Sequence, residues 1–165
     1  MNRDLVLAVS LSLSLSGMAS SQAPETTPKA SYGYAFITPG VVVGDGASPT
    51  INIGAGAEGL IKGGLGASID LSYLFFPKSG FGEGFGMFSP GMIYQFRTNR
   101  KTVPFISGGY TLAFRQGTES LVYGGGGFNH WFSNRWGLRF EVRDQIAPRD
   151  PEYNFLQFRI GFLFR

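Results

Sequence analysis

The sequence predicts an all-β fold, an eight-stranded antiparallel up-and-down barrel that crosses a membrane with its strands. Three observations predict it. Apolar residues alternate with small or polar ones over eight stretches, the period-two pattern of strands with two different faces. Turn-forming clusters separate these stretches, and none shows the three-and-four spacing of a helix. The chain combines 25 glycines and 16 phenylalanines with only 15% charged residues, against about 25% in an ordinary soluble domain. Mean hydropathy is nevertheless near zero, at +0.04. That value excludes a helical membrane protein and suits apolar residues interleaved with Gly, Ser and polar ones.

The strands are clearest at the C-terminal end. Over residues 153–165, Leu156, Phe158, Ile160, Phe162 and Phe164 share one face, opposite Gln157, Arg159, Gly161 and Leu163. Over 136–146, Trp136, Leu138, Phe140 and Val142 oppose Gly137, Arg139, Glu141, Arg143 and Gln145. In the sixth strand, 121–132, Val122, Phe128, His130 and Phe132 are expected outside, with Tyr123, Asn129 and Trp131 inside. The fifth, 103–115, sets Ile106, Tyr110, Leu112 and Phe114 against Ser107, Gly109, Thr111 and Arg115. The fourth, 84–97, groups Phe88, Met92, Tyr94 and Phe96, with Pro90 marking a bulge or a break in the ladder. The third, 65–75, and the second, 50–60, oppose apolar faces to Asp70 and Glu58 respectively. The first, 31–43, sets Tyr32, Tyr34 and Phe36 against Gly33 and Ala35.

Residues 1–23 read as a secretory signal, with Arg3 ahead of the apolar run 5–15 and cleavage after Ala19 or Ala23. Residues 24–30 form a flexible leader, and 31–165 the barrel domain. The chain has no cysteine, which excludes a disulfide framework, thiolate metal sites and an acylated-cysteine anchor. Its net charge of +3 is scattered, so nucleic acid is not an expected partner.

Two barrels fit this alternation, and they differ in which face points outward. With the apolar faces inside, as in a soluble periplasmic lipid- or ligand-binding barrel, the outer wall would be mostly Gly, Ser, Ala and Asn. So few charges would keep it dispersed poorly. With the apolar faces outside, lipid covers them and small residues suit a narrow lumen. Tyr73, Phe75, Tyr94, Phe96 and Trp136 would then form interface girdles. In this arrangement Glu58, Asp70, Arg139, Glu141, Arg143 and Arg159 point inward. Enclosed charges must pair or stay hydrated, so they form either an ion-pair plug or the gate of a narrow pore.

The stretch 126–143, Gly-Gly-Phe-Asn-His-Trp-Phe-Ser-Asn-Arg-Trp-Gly-Leu-Arg-Phe-Glu-Val-Arg, resembles the strand–turn–strand signature of the OmpA-like and OmpX-like β-barrel families. The resemblance implies an eight-stranded outer-membrane barrel in which Arg139 and Glu141 belong to a lumenal network. It also implies a setting of outer-membrane lipid and lipopolysaccharide, delivery by the barrel-assembly machinery, and a monomer. In such families that machinery reads a C-terminal strand with alternating aromatics, here Phe158, Phe162 and Phe164. The chain departs from the pattern at Asn129, where a lumenal Glu is usual, at Asp144 in a girdle position, and at Arg165 after the last aromatic. No peptidoglycan-binding domain follows the barrel, and a wall-anchoring role is not expected.

Some outer-membrane barrels are lipid A acyl hydrolases that use His, Ser and Glu. His130, Ser133 and Glu141 invite comparison, but the expected turn at Ser133 and the opposite faces of His130 and Glu141 keep them out of hydrogen-bond reach. The family's His-x-Ser spacing is absent too. The expectation is therefore a non-enzymatic barrel without cofactor or metal, in a structural or narrow-pore role.

Overall fold

The computed structural model describes residues 31–44, 46–96 and 98–165, so the expected signal and leader lie outside the described residues. Eight strands follow in order: β1 (Ser31–Val43), β2 (Ala47–Lys62), β3 (Leu65–Phe76), β4 (Gly80–Gln95), β5 (Thr102–Phe114), β6 (Thr118–Trp131), β7 (Trp136–Ala147) and β8 (Asp150–Phe164). Each pairs with its sequence neighbours antiparallel, and β8 returns to β1 to close the barrel. Closure removes every sheet edge, so the ladder hydrogen bonds are made within the wall.

Both ends of the barrel chain lie together, since Gly33 stands opposite Phe164. This terminal end also carries the connections after β2, β4 and β6, and the far end carries those after β1, β3, β5 and β7. The β2–β3 connection has only two residues. Gly63 and Gly64 hold φ of 61° and 89°, the left-handed pair that a two-residue hairpin needs. Pro90 breaks the ladder on one side only. Pairing with β5 stops at Phe88–Leu112 and resumes at Gly91–Gly109, while Pro90 stays opposite Ile69 of β3.

The apolar faces point outward. Ile69, Leu71, Ile106, Val142, Phe158, Ile160 and Phe162 are among the large hydrophobic side chains exposed on the wall. The chain therefore does not adopt the lipid-carrier arrangement, with its apolar face inside. Aromatic girdles ring both ends: Tyr94 meets Phe96 and Trp136 meets Phe162 toward the terminal end, and Tyr73 stacks on Phe75 toward the far end.

The first strand departs from the expected pattern. Tyr32, Tyr34 and Phe36 point into the lumen and are buried, and Ala35 and Ile37 face out. The cause is room and chemistry. Gly54 and Gly56 of β2 give space to these rings: a Cβ added there would lie 2.8 Å from Phe36 and 2.7 Å from Tyr34. The two tyrosine hydroxyls each meet a buried carboxylate, Glu58 and Asp70.

Candidate functional site

Period-two geometry sends Glu58 of β2, Asp70 of β3, Arg139, Glu141 and Arg143 of β7, and Arg159 of β8 into one stretch of lumen. Each is 1–3% exposed. Glu141 is the hub: its carboxylate accepts from Arg139 Nε at 3.1 Å and Arg143 Nη2 at 3.0 Å, and lies 3.6 Å from Arg159 Nη1. Asp70 Oδ2 accepts from Arg143 at 3.0 Å and Arg159 at 2.8 Å. Glu58 pairs with Arg139. Three guanidiniums thus face three carboxylates, and the cluster carries no net charge.

Hydrogen bonds and rings complete the cluster. Ser107 donates to Glu141 at 2.8 Å. The Tyr32 hydroxyl donates to Glu58 while accepting from Asn129 Nδ2 at 2.9 Å and from Gln95. Arg139 lies against Phe105 and Tyr34, Arg143 against Tyr123, and Arg159 against Phe36, with guanidinium-to-ring distances of 3.8–4.9 Å. Flat guanidiniums stack on ring faces and still use their edges for carboxylates. Toward the terminal end, Trp131 meets Tyr32 edge-on at 5.4 Å, and Arg165 stacks over Trp131 at 3.9 Å.

Sequence reasoning thus named the six charges and placed Tyr123 inside, but not the other aromatic partners, Tyr34, Phe36 and Phe105. The signal available was the Tyr-x-Tyr-x-Phe run of β1, whose other face holds Ala35 and Ile37. Two hydroxyls on an apparently lipid-facing row were the clue, because a phenolic O–H prefers a polar partner. Asn129 lies in the network, where its amide supports Tyr32. Asp144 points outward, half-buried, with Asn154 Nδ2 3.4 Å away.

His130, Ser133 and Glu141 do not meet. His130 is exposed on the outer face beside Thr102, 2.8 Å from its hydroxyl. Ser133 Oγ accepts from the backbone N–H of Arg135 and of Trp136 in the β6–β7 turn. Glu141 is committed to arginines within the lumen.

Phe158, Phe162 and Phe164 all face outward on β8. Phe164 also covers the closing seam. Its ring lies so close over Gly33 that a Cβ there would be 2.5 Å away. Phe164→Ala is therefore expected to lower the amount of heat-modifiable folded barrel recovered from cell membranes. Refolding into detergent separates the causes. Normal refolding with poor assembly in cells marks a recognition signal, equal loss in both marks seam packing, and normal assembly in cells counts against a signal.

No protein-family model matches the sequence, and no curated protein sequence does. Solved structures do match in fold. Neisserial surface protein A superimposes with a TM-score of 0.65 at 13% identity, over 81% of this chain and 96% of that one. Ail, the attachment invasion locus protein of Yersinia pestis, gives 0.63 at 12% identity, over 84% and 99%. A de novo designed transmembrane β-barrel gives 0.58 at 13% identity, over 86% and 98%. The chain thus has the fold of an eight-stranded transmembrane β-barrel.

Proposed function

We propose that the protein is a small outer-membrane barrel with a structural role, its lumen closed by a neutral ion-pair plug. The observation that carries this reading is the balance of three buried arginines against three buried carboxylates, each arginine backed by an aromatic ring. A conducting filter has to bind ions and release them. Here the charges are spent on one another, and rings occupy the space between them. The exposed apolar wall and its girdles support residence in a bilayer. The fold, shared with bacterial surface proteins, supports the outer membrane in particular. In this role outer-membrane lipid and lipopolysaccharide surround the barrel, the barrel-assembly machinery delivers it as a monomer, and no catalytic step is involved.

Planar-bilayer recording of the purified barrel tests the plug. The expected result is no stable unitary current in the wild type. A clear current that disappears in Glu141→Gln would overturn the plug in favour of a gated narrow pore. Fractionation tests the location: the protein should require detergent for extraction, and recovery in the soluble fraction would overturn the membrane reading.

A further inference from the structure

The lumen changes character beyond the charges. Next come neutral polar pairs, Gln145 with Gln157 and Ser89 with Thr111, each at 2.8 Å. At the far end the inward side chains turn apolar: Leu74, Met87, Ala113, Leu121 and Ala147 are buried together, with Phe85 and Phe155 packed against them. Beside this cluster, among the described residues, an open recess of about 560 Å³ is walled by Phe85, Ala113, Leu121, Ala147 and Phe155. That volume falls in the range of about 300–1,000 Å³ typical of small-molecule sites. Apolar side chains bordering an open recess offer an apolar occupant surface to bury.

The rim adds polarity. Among the described residues, Arg115, Arg149 and Glu119 line the same recess. The Arg115 guanidinium donates to the carbonyls of Gly82 at 2.8 Å and Glu83 at 3.2 Å, which fixes it at the mouth. Arg149 is exposed in the β7–β8 turn. We propose that this cup is a binding site for a single-chain aliphatic amphiphile with an anionic head, its chain held by the apolar wall and its carboxylate by Arg149 beside Arg115.

The test uses the barrel in lipid nanodiscs with 11-(dansylamino)undecanoate as probe and the methyl ester of that probe as neutral control. Dansyl emission should shift to the blue and saturate at one probe per barrel, above the unsaturable signal of empty discs. Unlabelled decanoate should displace it. Ala113→Trp or Ala147→Phe, each filling the cup, should abolish the saturable component in samples that keep the folded gel mobility. Arg149→Glu should weaken the acid by about tenfold, the scale of one charge-assisted contact, and leave the ester unchanged. Emission no greater than that of empty discs would overturn the proposal. So would saturable binding that survives filling of the cup in both variants, or an Arg149→Glu effect equal for acid and ester. If neither filled variant folds, failure of decanoate to displace the probe from the wild type overturns it alone.

Discussion

Glu141→Ala is expected to lower the stability of the folded barrel by about 3–5 kcal/mol, the range for removing one partner from a buried ion pair. The magnitude follows from its position between all three arginines, with Ser107 as a fourth partner. Without it three guanidiniums share two carboxylates in a lumen almost closed to water. The loss is one of charge more than of volume, so Glu141→Gln should be nearly as costly. Urea unfolding in phospholipid vesicles, followed by tryptophan fluorescence, measures both. A change below about 1 kcal/mol, the level of an exposed surface pair, would show that water compensates the cluster.

Gly127→Ala is expected to destabilise the barrel by about 1–3 kcal/mol or more, the cost of overpacking a filled interior. A Cβ at Gly127 would sit 1.8 Å from the carbonyl oxygen of Phe140 and 2.8 Å from the Cα of Glu141. Both obstacles are backbone, so no side-chain rotation relieves them, and β6 must move away from β7. Gly124 provides the contrast. It lies in the same strand, but nothing stands within 4 Å of its Cβ position, so Gly124→Ala should change stability by no more than about 0.5 kcal/mol. Equal effects of the two substitutions in the same unfolding measurement would sink the packing argument.

These two glycines show what was legible in the sequence and what was not. The run 124–127 reads as a place of close packing or strand curvature, but the tight and the open glycines differ only through what β5 and β7 bring near them. The strands themselves were legible because a lipid-facing wall writes its alternation strongly. Their far ends were less so. β2, β4, β6 and β8 each begin three or four residues earlier than the apolar pattern does. The hydrogen-bonded ladder needs no hydrophobic alternation and continues past the apolar band. The faces of β1 were not legible, because rings suit lipid and lumen alike, and only partners from β2 and β3 decide between them. The six charges were legible as inward-facing. Their shared pairing, with Glu141 between three arginines and Asp70 between two, required the barrel's register.

The division of charge along the chain bears on the order of assembly. Within the cluster β2 and β3 contribute only carboxylates, Glu58 and Asp70, whereas β7 and β8 contribute all three guanidiniums and one carboxylate. Arg139 reaches Glu58 across 81 residues, and Arg159 reaches Asp70 across 89. A nascent wall of early strands therefore holds uncompensated negative charge, and the last hairpin alone holds a positive excess. Contacts so distant in sequence form late, so neither part is at ease in a bilayer before they join. The expected consequence is a checkpoint in time: a chain interrupted before β7 should stall outside the membrane, exposed to proteolysis, instead of settling there half-built.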